Sequence, residues 1–318
     1  MATDRARALW VTGPGHCEVR EAGLGPLAPG HVRVRTRLTG ISRGTERLVF
    51  AGDVPEGERA RMRAPFQGGD FPFPVKYGYC AVGTVVAGDG HAAGTRIFAL
   101  HPHQDLFDVP AAAAIPIPDA VPDAAAPLAA HMETAVNALW DHPPRIGDRI
   151  AVVGLGAVGL CIARLAARTP GVSMFGIDPS EAARRRAGFP PGDGGECNLV
   201  FHCSGTQAGL EHAIALAGFE ATVVELSWYG TRAVAAPLGG AFHSRRLTLA
   251  ASQVGAVSPA RRATCSHAQR LALALSLLAD PGLRADLGTP VPFDGLASRY
   301  AGLLGPDEAS ALPLVSYG

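Results

Sequence analysis

The sequence predicts an α/β protein in two parts: a small barrel of short strands, and a parallel sheet with helices on both faces. Three observations predict it. Roughly the first hundred residues read as short strands broken by Gly and Pro, strands and helices alternate after Ala111, and a glycine turn follows the first strand of the alternating part. At 318 residues the chain is long enough for two domains, each with its own core.

The clearest early strand is 31–38, where Val32, Val34, Thr36 and Leu38 alternate with Arg33, Arg35 and Arg37, the period of a strand with one buried face. Further short strands are expected at 8–12, 18–21, 81–87, 96–100 and 106–109, a spacing that suits a small barrel. Segment 51–79 is long, irregular and rich in Gly, Pro and Phe, which is unusual inside a compact domain unless the loop has a function. An Ala/Pro-rich connection leads into a helix at 128–140. Strands are then expected at 149–153, 172–177, 199–202, 222–226 and 247–252, with helices at 157–167, 179–187 and 208–216. Such alternation implies a parallel sheet. The tail holds a helix at 266–278, then Val291, Pro292 and Phe293 and a terminal strand that are expected to return to the first domain. The domains are therefore drawn at 1–126, 127–255 and 256–318.

With 47% hydrophobic residues, 18% charged residues and no formal net charge, the chain reads as globular and is not expected to bind nucleic acid. Residues 1–7 carry charges with no apolar signal stretch behind them, and no run reaches the roughly 20 apolar residues of a membrane span, so a cytoplasmic location is expected. Six cysteines lie far apart with no CxxC pair, as free thiols do in a reducing compartment. Lys76 is the only lysine among 28 basic side chains. It marks either a site that needs a compact ammonium or a chance survivor on a loop.

After the apolar strand comes Gly154-Leu-Gly156-Ala-Val-Gly159, then an apolar helix, and Asp178 ends the next strand 19 residues beyond Gly159. A lone glycine motif is a weak signal, but strand, turn, helix and acidic partner together predict a dinucleotide site. Gly154 permits the tight turn, Gly156 lets backbone approach a pyrophosphate, and Gly159 lets helix pack on strand. The helix start at Ala157 and Val158 offers unpaired N–H groups to the phosphates. Asp178 would accept hydrogen bonds from ribose hydroxyls and repel a 2′-phosphate, favouring NAD(H) over NADP(H). Against this, Arg184, Arg185 and Arg186 follow in the next helix and could embrace a phosphate. A glycine turn without a ligand is the bland alternative.

Further segments carry a resemblance: Gly40-Ile-Ser-Arg-Gly-Thr-Glu46, Tyr77-Gly-Tyr-Cys-Ala-Val-Gly-Thr-Val85, Gly147-Asp-Arg-Ile-Ala-Val-Val-Gly154, Val200-Phe-His-Cys-Ser-Gly205 and Thr222-Val-Val-Glu-Leu226. In order and spacing the chain resembles the medium-chain dehydrogenase/reductase superfamily. It is locally similar to the subgroup containing bacteriochlorophyllide hydroxyethyl dehydrogenase. The resemblance implies a GroES-like β-barrel catalytic domain with an inserted Rossmann doubly wound parallel sheet. It also implies cofactor contacts from Cys203, Ser204, Gly205, Trp228, Tyr229, Gln253 and Val254, a small-molecule substrate, and a homodimer formed through the last Rossmann strand.

Zinc-dependent relatives carry a Cys in the segment matching Ile41 to Gly44 and a His-Glu pair after the glycine matching Gly78. This chain has Ser42 or Arg43, and Tyr79-Cys80, and it lacks the four-Cys loop of a structural zinc. No catalytic zinc is expected. His101, His103 and His131 remain conceivable ligands, and scattered histidines are more often hydrogen-bonded structural residues. Without a Lewis acid, hydrogen-bond donors must stabilise a developing oxyanion. The candidates are Thr45, which matches the family's hydroxyl relay, Tyr79 and Ser42. Lys76 could lower the tyrosine pKa or meet an anionic substrate, Glu46 could hold the loop, and His131 and Glu133 could face the reacting groups. Each has a structural alternative. Phe66, Phe71 and Phe73, near Arg61, Arg63 and Lys76, form either a pocket wall for a planar or anionic substrate or a subunit contact.

The expected activity is hydride transfer between nicotinamide and a small alcohol, ketone or conjugated carbonyl. A catalytically inactive nucleotide sensor and a zinc enzyme with relocated ligands are the alternatives.

Overall fold

The computed structural model describes residues 5–305 and 310–318; residues 1–4, which begin the charged N-terminal stretch, and 306–309 lie outside them. In chain order the elements are β1 (Arg5–Gly13), β2 (His16–Gly23), β3 (His31–Gly40), α1 (Arg43–Ala51), β4 (Gly68–Gly69), β5 (Val75–Lys76), β6 (Ala81–Gly88), β7 (Arg96–Ala99), β8 (Leu106–Pro110) and β9 (Ile115–Pro116). Then follow α2 (Ala129–Asp141), β10 (Arg149–Val153), α3 (Ala157–Ala166), β11 (Ser173–Ile177), α4 (Glu181–Ala187), β12 (Cys197–His202), α5 (Gln207–Leu216), β13 (Ala217–Glu225) and β14 (Thr248–Ala251). The chain closes with α6 (His267–Leu277), β15 (Val291–Pro292), α7 (Leu296–Leu303) and β16 (Leu314–Ser316). Two units result, Met1–Ala130 with Leu287–Gly318, and His131–Asp286.

The first unit is built from antiparallel pairing, apart from the parallel pair of β15 and β16. One sheet runs β2-β1-β5-β4, and a larger one runs β15-β16-β3-β6-β7-β9 with β8 also on β3. The alternation read in β3 holds: Val32 and Val34 are buried with Val85, Ile97, Phe107 and Val109, while Arg33 turns out to bind Asp108 at 2.8 Å. Helix α1 was not foreseen. Its nine residues include Gly44, Thr45 and Val49, poor helix formers, so local preference is weak there. Burial of Glu46, Leu48 and Val49 supports it instead, and Gly52, at φ 80°, ends it in the left-handed conformation.

The second unit is a five-stranded parallel sheet in the order β11-β10-β12-β13-β14. Its strands lie within the expected segments or extend them at their ends. Chain order reverses at β10, flanked by β11 and β12, so the crevice beyond its carboxyl end is the place where α/β sheets take ligands.

The domain boundary after 255 needs correction. Helix α6 belongs to the second unit, because fully buried Arg270 binds Glu133 and Asn137 of α2, and the chain returns to the first unit only at Leu287. The return is made by β15 and β16 on β3, with α7 burying Leu296, Tyr300 and Leu303. All six cysteines are free thiols, and among the described residues no helix is long and apolar enough to cross a membrane.

A methyl group on Gly159 would lie 1.9 Å from the Gly154 carbonyl oxygen, which forces α3 away from β10. Gly159→Ala should therefore cost about 1–3 kcal/mol, read as a lowered Tm. An unchanged Tm would show that the turn yields without cost.

Candidate functional site

Strand β10 is wholly apolar from Ile150 to Val153 and ends in a turn that only glycine fits: Gly154 has φ 98°, and a Cβ there would sit 2.6 Å from the Ser204 amide. The turn is stitched to both neighbours, since Gly154 N donates to Ile177 O at 2.8 Å and Cys203 N to Val153 O at 2.7 Å. Gly156 caps α3 without a side chain and faces open space. The first intrahelical bond runs from Leu160 N to Gly156 O, so the amides of Ala157, Val158 and Gly159 have no acceptor within the helix. No acidic residue occupies the first turn of α3. Together these make a bare, positively polarised backbone cradle that suits a diphosphate.

Asp178 lies beside it. Its Oδ2 accepts from Leu155 N at 2.9 Å and its Oδ1 from Ser180 N at 2.8 Å, so the carboxylate holds the glycine turn and keeps lone pairs for a diol. Arg184, offered by the sequence as a phosphate partner, wraps onto the carbonyls of Asp178 at 2.5 Å and Pro179 at 3.0 Å. Arg185 pairs with Glu181 and Arg186 with Asp286.

Cys203, Ser204 and Gly205 follow β12, and Tyr229 follows β13. The loops are joined by side chains, with Gly205 N donating to Ser227 Oγ at 3.0 Å and Tyr229 OH to Glu225 Oε2 at 3.0 Å. Gln253 follows β14, and its Oε1 accepts from Gly255 N at 2.6 Å. Arg270 holds this last loop: it bonds Val254 O at 2.5 Å, Ala256 O at 3.2 Å and Glu133 Oε1 at 3.0 Å. Glu133, which the sequence placed with His131 as able to face the reacting groups, is engaged in a buried ion pair, and His131 is buried on the same helix.

In the first unit Ser42, Thr45 and Tyr79 come together. The Tyr79 hydroxyl lies 2.5 Å from Ser42 Oγ and 3.2 Å from Thr45 Oγ1. Beneath them Glu46, wholly buried, accepts from Ser42 N at 2.7 Å and from Tyr300 OH at 2.5 Å, with His103 Nε2 at 2.9 Å. Burial alone would raise its pKa, but His103, Tyr300 and the Ser42 amide together hold the carboxyl below its ordinary value. His103 Nδ1 is itself 2.7 Å from Thr39 Oγ1.

Burial pushes the Tyr79 phenol well above its ordinary range, with Cys80 adding to the effect. This is opposite to the lowering suggested for Lys76. The Lys76 ammonium donates to Gln104 Oε1 at 2.5 Å, and burial lowers its pKa. His101 is stacked on Phe107 at 3.8 Å and lies 5.8 Å from Phe66, and burial lowers its pKa to about 3, so it stays neutral. Phe71, Tyr77 and Tyr79 form a run of aromatic contacts at 5.8 and 6.1 Å that ends at the hydroxyl cluster. Phe73 lies against Gly52, while Arg61 pairs with Glu58 and Arg63 with Asp70. Among the described residues no group of three or more His, Cys, Asp or Glu is arranged to hold a metal ion.

Sequence reasoning missed His202, Glu225 and Arg270. The first two stood inside segments read as strands, and an arginine on an amphipathic helix gives no sign of being buried.

In fold the chain is similar to solved dehydrogenases over nearly its whole length. It is similar to an alcohol dehydrogenase from E. coli CFT073 complexed with NADH (17% identity, TM-score 0.75, covering 99% of this chain and 100% of that one). L-idonate 5-dehydrogenase from E. coli matches at 15% identity and TM-score 0.78 over 99% of both chains. S. aureus TarJ in complex with NADPH matches at 15% identity and TM-score 0.75, covering 99% of this chain and 100% of that one. In sequence the chain is 30% identical over 202 residues to 2-desacetyl-2-hydroxyethyl bacteriochlorophyllide A dehydrogenase of Cereibacter sphaeroides, spanning 57% of this chain and 59% of that protein. No protein-family model matches the sequence.

Glu133→Gln should cost about 3–5 kcal/mol by removing the counter-charge of buried Arg270, which keeps its bonds to Asn137 and to the Val254 and Ala256 carbonyls, so the folded fraction keeps its turnover. A variant of normal Tm but lost turnover would instead assign Glu133 to the chemistry.

Proposed function

We propose that the chain is an NAD(P)(H)-dependent dehydrogenase or reductase that works without zinc on a small alcohol, ketone or conjugated carbonyl, planar or anionic substrates included. The bare glycine turn pinned to Asp178 carries the reading, because it leaves helix amides for a diphosphate and a carboxylate for a diol at one strand end. When bound, the nicotinamide dinucleotide supplies or accepts the hydride.

NAD(H) is preferred over NADP(H) in this reading. Asp178 would repel a 2′-phosphate, and Arg184, Arg185 and Arg186 are already engaged by carbonyls or carboxylates. The reacting oxygen is served by the hydroxyls of Tyr79, Ser42 and Thr45. The Tyr79 phenol is protonated at neutral pH, and its proton, which the structure directs at Ser42 Oγ, can turn to an oxygen that gains negative charge. Glu46 fixes Ser42 from behind and does not touch substrate in this account.

The donor set does not fit zinc. Ser42 and Tyr79 are neutral hydroxyls bonded to each other, and Cys80 adds a single thiol beside them, which falls short of the Cys and His ligand set of a tetrahedral zinc site. The proposal extends to a cytoplasmic homodimer pairing through β14, an edge strand with exposed Leu249. Monomeric protein in light scattering would remove that part.

NADH absorbance, followed over a panel of alcohols and carbonyls, should show turnover that Tyr79→Phe reduces about a hundredfold at unchanged Tm. Metal analysis of the active protein should find no stoichiometric zinc. NADH binding without turnover of any substrate would favour the inactive nucleotide sensor, and one dialysis-resistant zinc per chain would favour the relocated zinc site.

A further inference from the structure

The ends of β12 and β13 are bridged by a buried histidine that the reading above does not use. His202 is fully buried, with Nδ1 2.8 Å from Glu225 Oε2 and Nε2 2.6 Å from Ser204 Oγ. Glu225 also accepts from Ser227 N at 2.7 Å and from Tyr229 OH at 3.0 Å. Ser204 Oγ in turn lies 2.9 Å from Thr206 Oγ1 and accepts from Thr206 N at 3.2 Å. One imidazole therefore ties the loop of Cys203, Ser204 and Gly205 to the loop of Ser227 and Tyr229.

Serine, histidine and glutamate in this order resemble an acyl-transfer triad. The surroundings exclude that use. A Cβ on Gly209 would lie 2.1 Å from Ser204 Oγ and 2.7 Å from His202 Nε2, so the first turn of α5 closes over the hydroxyl where a carbonyl would have to approach. What the geometry does provide is rigidity. With Nδ1–H donating to Glu225, Nε2 accepts the Ser204 hydroxyl, and both loops acquire a fixed arrangement at the carboxyl ends of adjacent strands.

We infer that His202 is a positioning residue of the dinucleotide site, holding these two loops in the binding arrangement through Ser204 and Glu225. The inference rests on the dinucleotide reading. It lowers the ordering cost that binding would otherwise meet.

NADH fluorescence titrations of the wild type, His202→Phe and His202→Gln test it. Phe fills the space without bridging and should weaken NADH binding about tenfold or more. Gln can still donate to Glu225 and accept from Ser204, and should restore most of the affinity. The loss should appear in Kd and in KM for NADH, with kcat retained; a merely structural role would lower Tm and the active fraction and leave the Kd of the folded fraction unchanged. Should His202→Phe not fold, Glu225→Gln gives the same readout with the same expected direction. Wild-type binding matched by His202→Phe overturns the positioning role alone. A wild type that binds no NADH overturns the dinucleotide reading and this role with it.

Discussion

The second unit depends on one close approach, the packing of the Gly159 backbone onto the Gly154 carbonyl. It brings the first turn of α3 against the end of β10, where no side chain could fit between them. The turn then has only backbone to present, and backbone amides at a helix start are its strongest polar feature. Asp178 completes the arrangement by accepting the Leu155 amide, so the group that would read a ribose also holds the turn in shape. The sheet, the pinned turn and the bridged loops beyond β12 and β13 all serve this one strand end.

The first unit solves a different problem, the support of a cluster of neutral hydroxyls. Glu46 is a buried charge, and its cost is offset by the Ser42 amide, Tyr300 and His103. That network fixes the start of α1, from which Ser42 and Thr45 reach Tyr79. Burial works on the chemistry as well as on stability. It pushes the Tyr79 phenol and the Cys80 thiol above their ordinary pKa values.

Much of this was legible in the sequence because the relevant signals are local. An apolar strand, a glycine turn and an acidic strand end are separated by short spacings, and the alternation of β3 is carried by neighbouring residues. The tail was less legible. Helix α6 falls in the second unit because Arg270 reaches Glu133, a pairing across 137 residues that no local pattern announces. Helix α1 was missed because Gly44, Thr45 and Val49 dilute its better helix formers, and burial of Glu46, Leu48 and Val49 supports it instead. The hydroxyl cluster was anticipated as separate candidates, but the distances that unite Ser42, Thr45 and Tyr79 come from folding. The same holds for His202, whose partners Ser204 and Glu225 stand on different strand ends.

In the proposed function, the backbone amides after Val153 and the Asp178 carboxylate form one dinucleotide site. Isothermal titration calorimetry of the purified chain with NADH and NADPH tests it most directly. Saturable binding at one site per chain, tighter for NADH, is the predicted result; an absence of binding heat with both dinucleotides across a range of temperatures would contradict it.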